Sequence, residues 1–131
     1  MVEQDEAVVR KQFADFALGV LRFVRGLHRD VASDSIIRHI AGCAGSMSAN
    51  YRAACSATSL PECIAKLGMA LAEADEIEHW FWMAAQLRLG NTRKLAALEA
   101  EARQLRAVLA GSVSAARRNP QREPGTRRSD R

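Results

Sequence analysis

Apolar residues spaced three and four apart recur in four separate stretches of this chain, and that periodicity constrains its fold more than any other feature. In the first stretch Phe13, Phe16, Ala17, Val20, Leu21, Val24 and Leu27 form one stripe of a helix. The second carries Ile37, Ile40, Ala44, Met47 and Tyr51, and the third Leu67, Leu71, Ala74, Ile77 and Phe81. The fourth repeats Leu95, Leu98, Ala102, Leu105 and Leu109, a seam of the kind found in coiled coils and bundles. Each stripe must be buried against another element. Short connections between long helices favour antiparallel neighbours, so the pattern predicts an all-α fold: an antiparallel up-down-up-down four-helix bundle over residues 1–116.

The breaks between the stripes carry capping chemistry. Residues 30–34 are a polar break in which Ser33 or Asp34 can cap the second helix. Ser59 and Glu62 have the spacing of a capping box, and Pro61 falls in the first turn, where its missing N–H costs little. The third helix is expected to reach about Arg88, with Gly90 as its stop and Asn91 or Thr92 capping the fourth. The middle of the second helix is crowded with small residues, including Gly42 and Gly45. Glycine weakens a helix, so close approach of a neighbouring backbone is the expected compensation.

Beyond Ala116 the text turns to arginine, proline and glycine, and 117–131 reads as a disordered tail. Arg117, Arg118, Arg122, Arg127, Arg128 and Arg131 stand there against Glu123 and Asp130, so the tail holds the whole formal charge of +4 and the rest of the chain sums to zero. Such a tail can contact the phosphates of RNA or DNA, without base stacking because it has no aromatic ring. A solubilising terminus is the competing reading.

Several function classes find no support. The 3 cysteines, Cys43, Cys55 and Cys63, are odd in number and lack C-x-x-C spacing, which suggests neither a disulfide framework nor a zinc site. They read as free core residues and fit a cytoplasmic protein. Residues 1–10 are charged and no apolar run is long enough to span a bilayer, so neither a signal peptide nor a membrane partner is expected. There is no Gly-x-Ser-x-Gly elbow and no phosphate-cradling glycine loop. Glu76 and His79 form a single Glu-x-x-His, whereas di-iron bundles need two such motifs and two further glutamates. The expectation is a non-enzymatic protein without cofactor. The competing reading is a metal-binding or enzymatic bundle centred on Glu73, Glu76 and His79.

Two groups of residues stand out. Asn50 or Arg52 of the second helix can pair with Glu73 or Glu76 of the third, a contact that would fix register rather than perform chemistry. A solvated face and a ligand site are its competitors. The run Trp80-Phe81-Trp82-Met83 turns about 100° per residue around a helix, more of the circle than one core covers. Trp80, Trp82 and Met83 are therefore expected at a subunit interface, against the alternative that both tryptophans are absorbed within the bundle.

The segments Ile36-Ile37-Arg38-His39-Ile40, Ser46-Met47-Ser48-Ala49-Asn50-Tyr51-Arg52 and Ala70-Leu71-Ala72-Glu73-Ala74-Asp75-Glu76-Ile77-Glu78-His79-Trp80 resemble, in order and spacing, the four-helix-bundle proteins encoded in 23S rRNA intervening sequences. The likeness covers about half the chain. Ala53 stands where that family often has glutamate, and the basic tail is outside the likeness. The resemblance implies a homo-oligomer, commonly a pentamer, with no established enzymatic activity. A related group, the accessory proteins of diversity-generating retroelements, associates with a reverse transcriptase and nucleic acid, which makes an accessory subunit that recruits a protein partner a further possibility.

Overall fold

The structure, a computed structural model, describes residues 3–118, with side chains from Asp5 onward. Four helices make it up: α1 (Glu3–Arg25), α2 (Val31–Cys55), α3 (Leu60–Gln86) and α4 (Thr92–Arg118). The connections 26–30, 56–59 and 87–91 span at most about 18 Å even when extended, at roughly 3.5 Å per residue. A helix of 25 residues such as α2 is about 37 Å long. Consecutive helices therefore run antiparallel. The broadest contact is α2 with α3 and the thinnest is α1 with α4, and no diagonal pair touches among the described residues. The bundle is thus a square traversed in sequence order.

The core follows the apolar stripes. Phe13, Phe16, Val20, Ile37, Ile40, Met47, Tyr51, Ile77, Phe81 and Leu109 are fully or almost fully buried. Each contributes roughly 1.5–3 kcal/mol relative to an exposed side chain. Leu21 departs from expectation, at 41 % exposed: Val20 and Val24 take the inward positions, and the next residue falls about 100° to the side.

Local chemistry sets the ends. Asp30, rather than Ser33 or Asp34, caps α2. Its carboxylate accepts from the Ser33 N–H at 2.8 Å, and the Ser33 hydroxyl accepts from the Asp30 N–H at 2.9 Å. Ser59 caps α3, accepting from the Glu62 N–H, but Glu62 reaches past Ser59 to the N–H and hydroxyl of Thr58. α3 stops at Gln86, short of Arg88, which itself has a positive φ of 56°. Gly90 follows at φ 69°, and a Cβ there would lie 2.5 Å from Leu27 Cδ2. The α3–α4 connection is thereby pressed onto the α1–α2 connection. The Asn91 carboxamide accepts from the Lys94 N–H and caps α4.

Two further expectations are corrected. A Cβ at Gly42 or at Gly45 would meet nothing within 4 Å, so these glycines face open space and no neighbouring backbone approaches them. α4 continues through Arg118, so Arg117 and Arg118 are helical rather than part of a tail. Arg122, Arg127, Arg128 and Arg131 lie outside the described residues, as does the disorder expected there.

Candidate functional site

Three short segments converge at one end of the bundle: the last turns of α1, the first turns of α4 and the connections beside them. Antiparallel packing puts the end of α1 and the start of α4 together. Gly19 and Gly26, and Gly90 with its left-handed backbone, keep the surface between them low. The result is an open groove of about 500 Å³ lined by Arg22, Phe23, Leu27, Asn91, Lys94 and Leu98, among others.

The charge at this end is one-sided. Residues 16–25 and 79–98 contain no Asp or Glu. Of the acids nearby, Asp30 is committed to capping α2, and Asp34 pairs with Arg29 and Arg38. Arg29 holds the Asp34 carboxyl below its usual range. Arg22, Arg25, Arg88, Arg93 and Lys94 have no ion pair among the described residues. Arg93 and Lys94 sit in the first turn of α4, where the helix dipole already disfavours positive charge and where no acidic residue relieves it. The neutral net charge of the body therefore conceals a strongly basic end. In the linear sequence the excess charge falls on the tail, because adding charge along a chain cannot show which turns a fold gathers at one place. The acid-free stretches 16–25 and 79–98 were the available signal.

A second cluster lies across the α2–α3 contact. Cys43 Sγ and one carboxylate oxygen each from Glu73 and Glu76 all lie within 4.8 Å of one another. Cys43 is buried, and burial together with the two carboxylates pushes its thiol well above the usual range, which makes it a poor nucleophile. Trp80 Nε1 donates to Glu76 Oε2 at 3.0 Å. The indole stacks on His39, with ring centroids 4.1 Å apart, and His79 meets it edge-on. His39 Nδ1 donates to the Ser35 carbonyl at 2.8 Å.

The residues singled out from the sequence are distributed as follows. Glu73 and Glu76 come together, and Cys43 rather than His79 completes their cluster. Asn50 is half-buried and Arg52 exposed, and none of the hydrogen bonds or ion pairs among the described residues joins either to Glu73 or Glu76. Asn50 lies about 10 Å along α2 from Cys43 at 1.5 Å per residue. Trp80 and Met83 are partly buried against the core, whereas Trp82 is 55 % exposed. The inter-helix ion pairs of α3 run instead to α4, where Arg106 bridges Glu78 and Asp75.

The geometry defines a class: a four-helix-bundle protein with a basic groove at one pole. The chain belongs to the 23S rRNA-intervening sequence protein family, whose model matches residues 5–111. It is similar to a solved structure from Bacteroides thetaiotaomicron, described as a protein with unknown function from the S23 ribosomal protein family, with TM-score 0.73 and 20% identity, covering 83% of this chain and 97% of that one. At that identity the likeness speaks for the fold. No curated protein matches the chain. No helix among the described residues is long and apolar enough to cross a membrane.

Proposed function

We propose that this protein is a non-enzymatic, homo-oligomeric helical-bundle scaffold that associates with nucleic acid through the basic end of the bundle. The observation that carries this reading is that Arg22 and Lys94 line an open groove and Arg25, Arg88 and Arg93 lie at the same end of the bundle, all five without an ion pair among the described residues. Mobile anions or a polyanion must offset that charge, and release of counterions from a nucleic acid favours the polyanion. Phe23 adds an aromatic ring for base stacking, which the tail lacks. The family's name links its members to 23S rRNA intervening sequences, so ribosomal RNA is the first ligand to test. Assembly into a ring, a pentamer by family resemblance, would multiply weak phosphate contacts. Exposed Trp82 supplies apolar surface for that assembly.

The test is binding of labelled single-stranded rRNA fragments across a salt series. Wild type, an Arg22→Glu/Lys94→Glu variant and a chain ending at Arg118 are compared. Wild type is expected to weaken linearly in log–log form, and loss of two phosphate contacts should flatten the slope by about 1.4 at roughly 0.7 per contact. Equal binding and slope in the double variant would refute the assignment of the groove. No binding at low salt would refute nucleic-acid association altogether.

A further inference from the structure

The cluster between α2 and α3 is independent of the basic end. Glu73 and Glu76 stand one helical turn apart on α3, and Cys43 faces both from α2. No cation forms an ion pair with either carboxylate among the described residues. Cys43 is 2% exposed, and its thiol hydrogen-bonds to both carboxylates. Two like charges, Glu73 half-buried and Glu76 exposed, therefore stand beside a buried sulfur with no ion pair of their own, an arrangement that desolvation makes less favourable. A bound divalent cation removes this cost.

We propose that Cys43, Glu73 and Glu76 form a three-ligand zinc site across the α2–α3 contact. The donor set selects the metal. Magnesium and calcium take all-oxygen shells, whereas zinc accepts one sulfur at about 2.3 Å and carboxylate oxygens at about 2.0–2.2 Å. Tetrahedral coordination needs ligand atoms roughly 3.6 Å apart, which side-chain rotation from a separation within 4.8 Å supplies. Three protein ligands leave a fourth position for water. Trp80 Nε1 holds Glu76 from behind, and His39, tethered to the Ser35 carbonyl, holds the indole by stacking. These are the outer contacts that fix a ligand's orientation. On binding, the S–H bond of Cys43 breaks, an S–Zn bond forms and one proton leaves to solvent; no electron is transferred. Glu73 and Glu76 are the charged groups facing Cys43. Affinity therefore rises about tenfold per pH unit below the thiol's titration, since one proton is released.

The full chain, stripped with a chelator and dialysed, is titrated calorimetrically with zinc chloride in two buffers of different ionisation enthalpy. Cobalt(II) is titrated in parallel by absorption. The expected result is one zinc per chain, one proton released, and a thiolate-to-cobalt charge-transfer band. Cys43→Ala abolishes the band, and Glu76→Gln weakens zinc binding by about 10–100-fold. Because Cys43 is in the core, the Glu73→Gln/Glu76→Gln variant is measured as well, with far-ultraviolet dichroism to establish that it is folded. Absence of saturable binding by the wild type overturns the proposal. So does a stoichiometric site that survives unchanged in Cys43→Ala or in the folded double glutamine variant.

Discussion

The rings of Phe13 and Tyr51 stack with centroids 4.7 Å apart and planes 19° from parallel, joining α1 to the last turns of α2. The Tyr51 hydroxyl is buried without a nitrogen or oxygen partner among the described residues, beside the Cys55 thiol, and burial pushes it far above the usual phenol range. The ring thus stabilises while the hydroxyl costs. Phe13→Ala should destabilise by about 3–5 kcal/mol, whereas Tyr51→Phe should be neutral or gain up to about 1 kcal/mol. Urea unfolding measures both, and a loss above about 1 kcal/mol in Tyr51→Phe would mean that the hydroxyl is satisfied.

Glycines in this chain divide by their surroundings. Gly42→Ala and Gly45→Ala meet open space on a helix, so each should stabilise by about 1 kcal/mol through helix propensity. Gly90→Ala forces a Cβ onto Leu27 and Phe23 at φ 69° and should cost roughly 1–3 kcal/mol. Thermal melts that ranked the three substitutions together would contradict this division.

Acid should release the α2 cap. The Ser33 N–H and hydroxyl lower the Asp30 carboxyl from its ordinary 3.8. A lowered folded-state value means that the stabilisation is fully present above 3.8 and is lost as pH falls through the folded value. Asp30→Asn keeps an acceptor for the cap but removes the titration. Its unfolding midpoint between pH 5 and pH 2 should therefore fall less steeply than that of wild type, by urea melts at a series of pH values.

Trp80 and Trp82 should separate in function. Trp80 is held by Glu76 and His39, so Trp80→Ala should loosen α2 from α3 and lower thermal stability. Trp82, largely exposed, makes no such contact. Trp82→Ser should leave the melting temperature of the subunit fold near wild type while shifting the assembly toward smaller species. Size-exclusion chromatography with light scattering reads this directly, and a wild-type monomer would remove the interface role.

The helices were legible because their core positions repeat at the period of the structure itself: Phe13 to Val24 apart from Leu21, Ile37 to Tyr51 and Leu95 to Leu109 are buried where periodicity puts them. The sites were less legible for two physical reasons. Cys43 meets Glu73 and Glu76 only through the register of α2 on α3, which spacing along the chain does not encode, so a core cysteine and an acidic helix face looked unrelated. The basic pole joins Arg22 to Lys94 across the thinnest contact of the bundle, and a sum of charges over the body cancels it. Small residues in α2 misled for the opposite reason. Gly42 suggests close packing wherever it points, and here it points outward.

Antiparallel winding has a last consequence for reach. α4 begins at the groove and ends at Arg117 and Arg118, with 27 residues between its two limits. A strand that touches both Lys94 and Arg118 must travel about 36 Å along the helix at 1.5 Å per residue. The molecule is therefore a rod with cationic side chains at both limits of α4, set about 36 Å apart along one edge.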